Sequence, residues 1–123
     1  MGTIDRHAVA LVAEDEPLLR MEAADTLEEA GFTVLEAATS DAALRHLEAH
    51  GSIELLFTDI EMPGPIDGIG LAREVAQRWP GVSIVVCSGR YSLQPGDLPR
   101  QARFIAKPFT PDLMIQAIET AMR

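Results

Sequence analysis

Short apolar runs and stretches of helical periodicity alternate along the whole chain. Residues 8–13 (AVALVA) are continuously apolar and give way at once to Glu14, Asp15, Glu16 and Pro17. A continuous run suits a strand buried on both faces, as in a parallel sheet covered by helices. Leu19, Ala23, Leu27 and Ala30 then recur at helical spacing, with Pro17 suited to the first turn and Gly31 to the stop. A second strand is predicted over 32–35. Ser40 is placed to cap a helix that carries Ala43, Leu44 and Leu47 and ends near Gly51. Residues 53–58 (IELLFT) read as a third strand ending at Asp59, and 62–68 (MPGPIDG) as turn chemistry. Leu71, Val75 and Trp79 mark a third helix closed by Pro80 and Gly81. Residues 82–87 (VSIVVC) form a fourth predicted strand and 104–106 a short fifth. Thr110 and Pro111 look like an N-cap and first helical residue, opening a helix with Leu113, Ala117, Ile118 and Ala121 facing inward.

This alternation predicts an α/β fold: a doubly wound, five-stranded parallel sheet of order 2-1-3-4-5 (flavodoxin-like), with helices on both faces. One helix is expected to be irregular or shortened. The segment 90–103 (RYSLQPGDLPRQAR), where a fourth helix would fall, holds Pro95, Gly96 and Pro99, and an interior proline costs a helix about 3 kcal/mol. Ligands in such sheets sit outside the carboxyl ends of the strands, in the crevice between strands 1 and 3. The residues just past those strands are Glu14, Asp15 and Asp59, so three carboxylates are expected to converge there.

Length adds that 123 residues fit one domain, taken as 1–123. The formal net charge is −9, which argues against direct binding to nucleic acid or an anionic membrane, since both demand a basic face. The charge is unevenly placed. Residues 1–61 hold fourteen Asp/Glu against three Arg, and residues 62–123 hold five against seven cations. Nine of the ten cations are Arg; the one lysine is Lys107. A single cysteine, Cys87, cannot build an internal disulfide framework. With no signal-like or membrane-spanning run, a soluble, cytoplasmic chain is expected. An initiating Met followed by only a few residues favours a stand-alone protein over an excised piece.

Carboxylates held close together repel, and such a cluster persists with a compensating cation or bound protons. Oxygen-only ligands suit a hard ion, Mg²⁺ in particular. Ser88, at the end of strand 4, adds a hydroxyl, and Lys107, after strand 5, adds a compact cation on the same edge. A carboxylate nucleophile, a metal, a hydroxyl and an ammonium suit the transfer of a phosphoryl group onto Asp.

Across essentially its whole length the chain resembles the receiver domain of two-component response regulators. The resemblance rests on Glu14-Asp15-Glu16-Pro17, on Asp59 followed by Met62-Pro63-Gly64 and Asp67-Gly68, on Ser88-Gly89, and on Lys107-Pro108-Phe109. It implies that a histidine kinase or phosphotransfer protein phosphorylates Asp59. It implies that Asp15 and Asp59 bind Mg²⁺, with Glu14 acting through a water and Glu61 through its main-chain carbonyl. Ser88 and Lys107 would meet the phosphoryl group, Phe104 would turn inward as Ser88 moves, and the Lys107–Pro108 bond would be cis. The signal would pass by phosphorylation-dependent contact with an unidentified downstream protein. Residues 86–91 also resemble a subgroup of stand-alone regulators with a Phe-Ala-Thr-Gly-Tyr-like segment, which weakens the case for the dimer face usual in the family. Pro65-Ile66 adds one residue to the loop before Asp67. In the family, the positions two past the phosphoacceptor and two past the hydroxyl residue influence phosphoaspartate decay. Here they are Glu61 and Arg90, whose opposite charges are expected to pair across the site.

The competing reading is a Mg²⁺-dependent phosphohydrolase with Asp59 as nucleophile and Glu61 as its acid. The chain has no room for a substrate cap, and Glu14-Asp15 precedes Asp59 rather than following it, so a signalling phosphoacceptor is favoured over an enzyme. Cys87 reads as inert core. His7, His46 and His50 share no metal spacing beyond a solvated i,i+4 pair, and Arg20 and Arg90 read as serving solubility or surface pairing.

Overall fold

A computed structural model describes residues 8–90 and 92–123, so His7 and Tyr91 of the sequence reading lie outside the described residues. Strands β1 (Val9–Ala13), β2 (Thr33–Ala37), β3 (Ile53–Asp59), β4 (Ser83–Ser88) and β5 (Ala102–Ala106) alternate with helices α1 (Pro17–Glu29), α2 (Ser40–Ala49), α3 (Gly68–Arg78) and α4 (Pro111–Ala121). The sheet has order β2-β1-β3-β4-β5, and every neighbouring pair is parallel. This is the architecture that the alternating pattern predicts.

Side chains that alternate along each strand divide the interior into two layers. Leu11, Leu56 and Ile84 pack with Leu47 of α2 and Leu71 and Val75 of α3. Val12, Leu55, Phe57 and Val85 face the other way, against Ala23 and Leu27 of α1 and Met114 and Ile118 of α4. The central strands are therefore buried on both faces, which is why they read as unbroken apolar runs.

Local chemistry sets the helix ends. Glu16 caps α1, its carboxylate accepting from the Leu19 N–H at 2.8 Å, and Pro17 fills the first helical position. Gly31, at φ 107°, turns the chain out of α1, and the Phe32 N–H closes back on the Leu27 carbonyl at 3.0 Å. Asp67 caps α3 through the Gly70 N–H, and Thr110 caps α4 through the Leu113 N–H.

Several details differ from the sequence reading. Thr39, not Ser40, caps α2, accepting from the Ala42 N–H at 3.0 Å. Ser40 is the first helical residue, and its hydroxyl donates to the Ile66 carbonyl at 3.1 Å, tying α2 to the extended loop before α3. In α4 Ile118 is buried and Ala117 and Ala121 pack against the same core as expected, but Leu113 is 51% exposed and Met114 takes the buried place. Met114 and Ile118 stand four residues apart on one helix face, and Leu113 lies a step off that stripe. Leu19 is likewise exposed, and Ala23, Ala24 and Leu27 make the buried stripe of α1. Strand β2 runs on to Ala37 and β5 starts at Ala102, because each follows its neighbour's ladder: Ala13 pairs with Ala37 and Ile84 with Ala102.

Between β4 and β5 the described residues form no helix, as the prolines predict. A side-chain clasp holds the loop instead. Arg73 of α3 donates to the carbonyls of Gly96 (3.1 Å) and Asp97 (3.0 Å), and the Asp97 carboxylate accepts from the Gln94 N–H at 2.7 Å. Leu93 and Leu98 pack on the α3-side core.

Candidate functional site

The parallel register brings the ends of β1, β3 and β4 level. Ala13 pairs with Thr58, and Asp59 pairs with Cys87, so Glu14, Asp59 and Ser88 emerge on one edge. The Glu14 N–H extends the ladder by donating to the Ala37 carbonyl at 3.0 Å. The Glu14 carbonyl accepts from the Arg20 guanidinium at 2.9 Å, and Arg20 also pairs with Glu36 at 3.2 Å. Arg20 thus braces the acidic turn, a role that the sequence reading missed because a main-chain contact leaves no trace in residue type.

Glu14 is 6% exposed and Asp59 4%, whereas Asp15 faces solvent. One oxygen from each of the three carboxylates lies within 4.8 Å of the others, a group able to hold a metal ion. The donors are all hard oxygens, and two of the three carboxylates are buried, so the residues present fit a hard divalent cation such as Mg²⁺. Lys107 enters from the end of β5, where its N–H continues the β4 ladder by donating to the Ser88 carbonyl at 2.9 Å. Its ammonium donates to Asp59 Oδ2 at 2.9 Å and to Glu14 Oε1 at 3.1 Å. The Lys107–Pro108 bond is cis.

The electrostatics follow from this packing. Burial pushes the Glu14 carboxyl above its ordinary 4.5, the Asp59 charge adds to the push, and the Glu16 N–H and Lys107 oppose it. Burial alone would lower the Lys107 ammonium, but the hydrogen bond and charge of Asp59 outweigh it and the net shift is upward. Lys107 is therefore held as a fixed cation. Burial and the Asp59 charge push the Cys87 thiol up to about 12, so it stays protonated and inert.

Ser88 lies 2% exposed at the end of β4. Its hydroxyl donates to Glu61 Oε2 at 2.7 Å and accepts from the Arg90 N–H at 3.1 Å. The Glu61 N–H leans toward Asp59 Oδ1 at 3.4 Å. Glu61 and Arg90 thus meet at Ser88, but not as expected: among the described residues no ion pair joins them, and Glu61 spends its carboxylate on the hydroxyl. The strand order could have signalled this, since β3 and β4 are neighbours and their following loops share one mouth. Phe104 is half-buried on β5 against the α3-side core, in register with Val86.

Behind Asp59 the chain turns tightly. The Gly68 N–H donates to the Ile60 carbonyl at 2.8 Å, and a Cβ on Gly68 would collide with the Asp59 carbonyl. A cavity of about 830 Å³ opens between α1 and α4, with Phe57, Cys87 and Met114 among its apolar lining and Glu14 and Lys107 at the site.

An acidic cluster able to hold a metal ion thus lies at the switch point of a doubly wound sheet, faced by a lysine that follows β5 and a hydroxyl at the end of β4. The family model for the response regulator receiver domain matches residues 10–119, and the chain belongs to that family. It is 34% identical over 119 residues to the transcriptional regulatory protein PdtaR of Mycobacterium tuberculosis, covering 91% of this chain and 55% of that protein. It is also 34% identical over 107 residues to the sensor kinase CckA of Brucella abortus, covering 84% of this chain and 11% of the kinase. The chain thus spans only part of these relatives, as it does of DctD from Rhizobium meliloti, where it matches 24% of the protein at 34% identity. Among solved structures, a response regulator receiver protein from Sinorhizobium medicae superimposes with a TM-score of 0.87 at 29% identity, covering 94% of each chain. Among the described residues no helix is long and apolar enough to cross a membrane.

Proposed function

We propose that the chain, 1–123 as one receiver unit, is a cytoplasmic phosphoacceptor that takes a phosphoryl group on Asp59 from a phosphohistidine of a histidine kinase or phosphotransfer protein. The observation that carries this reading is the setting of Asp59: a buried carboxylate at the switch-point edge, hydrogen-bonded to a fixed ammonium and grouped with two further carboxylates. Glu14, Asp15 and Asp59, with the Glu61 main-chain carbonyl, would hold Mg²⁺, which supplies positive charge against the transferring group.

In the transfer, an Asp59 oxygen forms a bond to phosphorus as the bond from phosphorus to the donor imidazole breaks. Lys107 keeps its proton and stabilises the charge that gathers on the phosphoryl oxygens. Ser88 donates to one of those oxygens, and the half-buried Phe104 follows the change at Ser88. Glu61 and Arg90, both in contact with Ser88, tune the life of the acyl phosphate, which hydrolyses unaided. The product adds negative charge and acceptor oxygens to a buried edge, a change suited to altering contact with a downstream protein. The occurrence of a similar domain in both a sensor kinase and transcriptional regulators supports a place within a phosphorelay.

The test is incubation with acetyl phosphate and Mg²⁺, read by intact mass beside the Asp59→Asn variant. A labile added phosphoryl group, absent from the variant, is expected. Continuous turnover of small phosphate esters would replace this reading with a hydrolase.

A further inference from the structure

A serine hydroxyl has one proton to donate, and Ser88 gives it to Glu61. The 2.7 Å separation is that of a hydroxyl held by a carboxylate. The Arg90 N–H approaches the same oxygen at 3.1 Å and fixes it in place. With Ser88 only 2% exposed, bulk water has little access to compete for that proton. Glu61 itself is half-buried in the loop after β3, with solvent on one side. Its carboxylate joins a rim that already holds Glu14, Asp15 and Asp59, and among the described residues Lys107 pairs with Glu14 and Asp59 but not with Glu61. New negative charge on Asp59 would therefore repel Glu61 and compete for its hydrogen bond in the same step.

We infer that Glu61 is a displaceable clasp on Ser88: in the resting chain its carboxylate takes the hydrogen bond that a phosphoryl group on Asp59 would claim. The clasp rests on the phosphoacceptor reading above and assigns Glu61 a positioning role. No atom is transferred to or from Glu61. With acetyl phosphate as donor, the Asp59 oxygen bonds to phosphorus, the bond from phosphorus to the acetate oxygen breaks, and Ser88 keeps its proton and redirects it. Opening the clasp lies on the path to phosphorylation, so it slows that path. It also supplies the resting position to which Ser88 returns after hydrolysis.

The experiment follows phosphorylation of the full chain by acetyl phosphate with Mg²⁺, as a time course of intact mass, in Glu61→Ala, Glu61→Gln, Ser88→Ala and Glu61→Ala/Ser88→Ala. A hydrogen bond to a charged group sets the scale, so Glu61→Ala is expected to speed phosphorylation at least about tenfold. Glu61→Gln keeps an acceptor for Ser88 but loses the charge that strengthens it, and is expected to speed phosphorylation by about two- to fivefold, less than Glu61→Ala. In the Ser88→Ala background, removing Glu61 is expected to change nothing. Thermal melts check folding, and Glu61→Thr, too short to reach Ser88, replaces the alanine variant if that one is unfolded. If the parent is phosphorylated but Glu61→Ala is no faster, or its gain persists without the Ser88 hydroxyl, the clasp is overturned and the phosphoacceptor reading stands. If Glu61→Gln matches Glu61→Ala, bulk charge replaces the clasp as the cause. A parent chain that takes no phosphoryl group overturns the phosphoacceptor reading, and the clasp with it.

Discussion

Lys107 is the cation that holds the acidic edge together, and Lys107→Met isolates its charge because methionine keeps much of the stem. The ammonium lies 2.9 Å from Asp59 Oδ2 and 3.1 Å from Glu14 Oε1, and the side chains of those carboxylates are 5% and 7% exposed. At an effective dielectric near 20, each contact carries a gross attraction of ~5 kcal/mol. Desolvation offsets much of that, but removing one partner leaves the others buried and unpaired, which costs roughly 3–5 kcal/mol. The Lys107 side chain is itself 23% exposed, so water partly compensates, and the expected loss is about 3 kcal/mol. A chain of this length has a native stability of roughly 6–18 kcal/mol, so the loss is easily read. In urea at neutral pH with EDTA, a slope near 2 kcal/mol per molar lowers the midpoint by about 1.5 M. In an Asp59→Asn background one charged partner remains and the cost falls to about half. Mg²⁺ raises both midpoints, and raises that of Lys107→Met more, because its site is more negative. A Lys107→Met midpoint unchanged in EDTA, or a cost undiminished by Asp59→Asn, would refute the reasoning.

Two further outcomes test the surroundings of the site. Because the Cys87 thiol is pushed up from 9.0 to about 12, the fold favours its neutral form. That contribution is complete below pH 9 and is lost as pH rises toward 12. At pH 8 its thiolate is about a thousandfold scarcer than that of an exposed thiol, so a disulfide reagent should label Cys87 only after unfolding; rapid labelling of the native chain would contradict this. Gly68→Ala drives a Cβ into the Asp59 carbonyl and is expected to cost about 3 kcal/mol and to slow phosphorylation by shifting the acceptor's main chain. Gly51→Ala and Gly81→Ala, where a Cβ meets nothing within 4 Å, serve as controls for the same substitution in thermal melts.

The sheet was legible because its central strands are apolar on both faces, a pattern that survives without knowledge of partners. The acidic edge was legible for a related reason: strand order places strand ends, and Glu14, Asp15, Asp59, Ser88 and Lys107 all sit at strand ends. Helix phase was harder. Leu113 looked inward from its residue type, yet Met114, in helical register with Ile118, is the residue that α4 buries. The sequence reading placed the α2 cap on Ser40, but it is Thr39 that accepts from the Ala42 N–H, while the Ser40 hydroxyl reaches the Ile66 carbonyl. The Ser88–Glu61 and Arg73–Gly96 contacts were hidden because each depends on how one side chain meets a loop more than twenty residues away.

Helix α3 touches two places that matter. Its first residue, Gly68, rests against the main chain of Asp59 and Ile60, and one turn on, Arg73 grips the carbonyls of the loop that stands where a helix would be expected. The Asp59 backbone and the outer loop are therefore joined through α3, on the opposite face of the sheet from α1 and α4. Helix α3 thus links the main chain behind the acidic edge to the outer loop by direct contacts that do not involve β5.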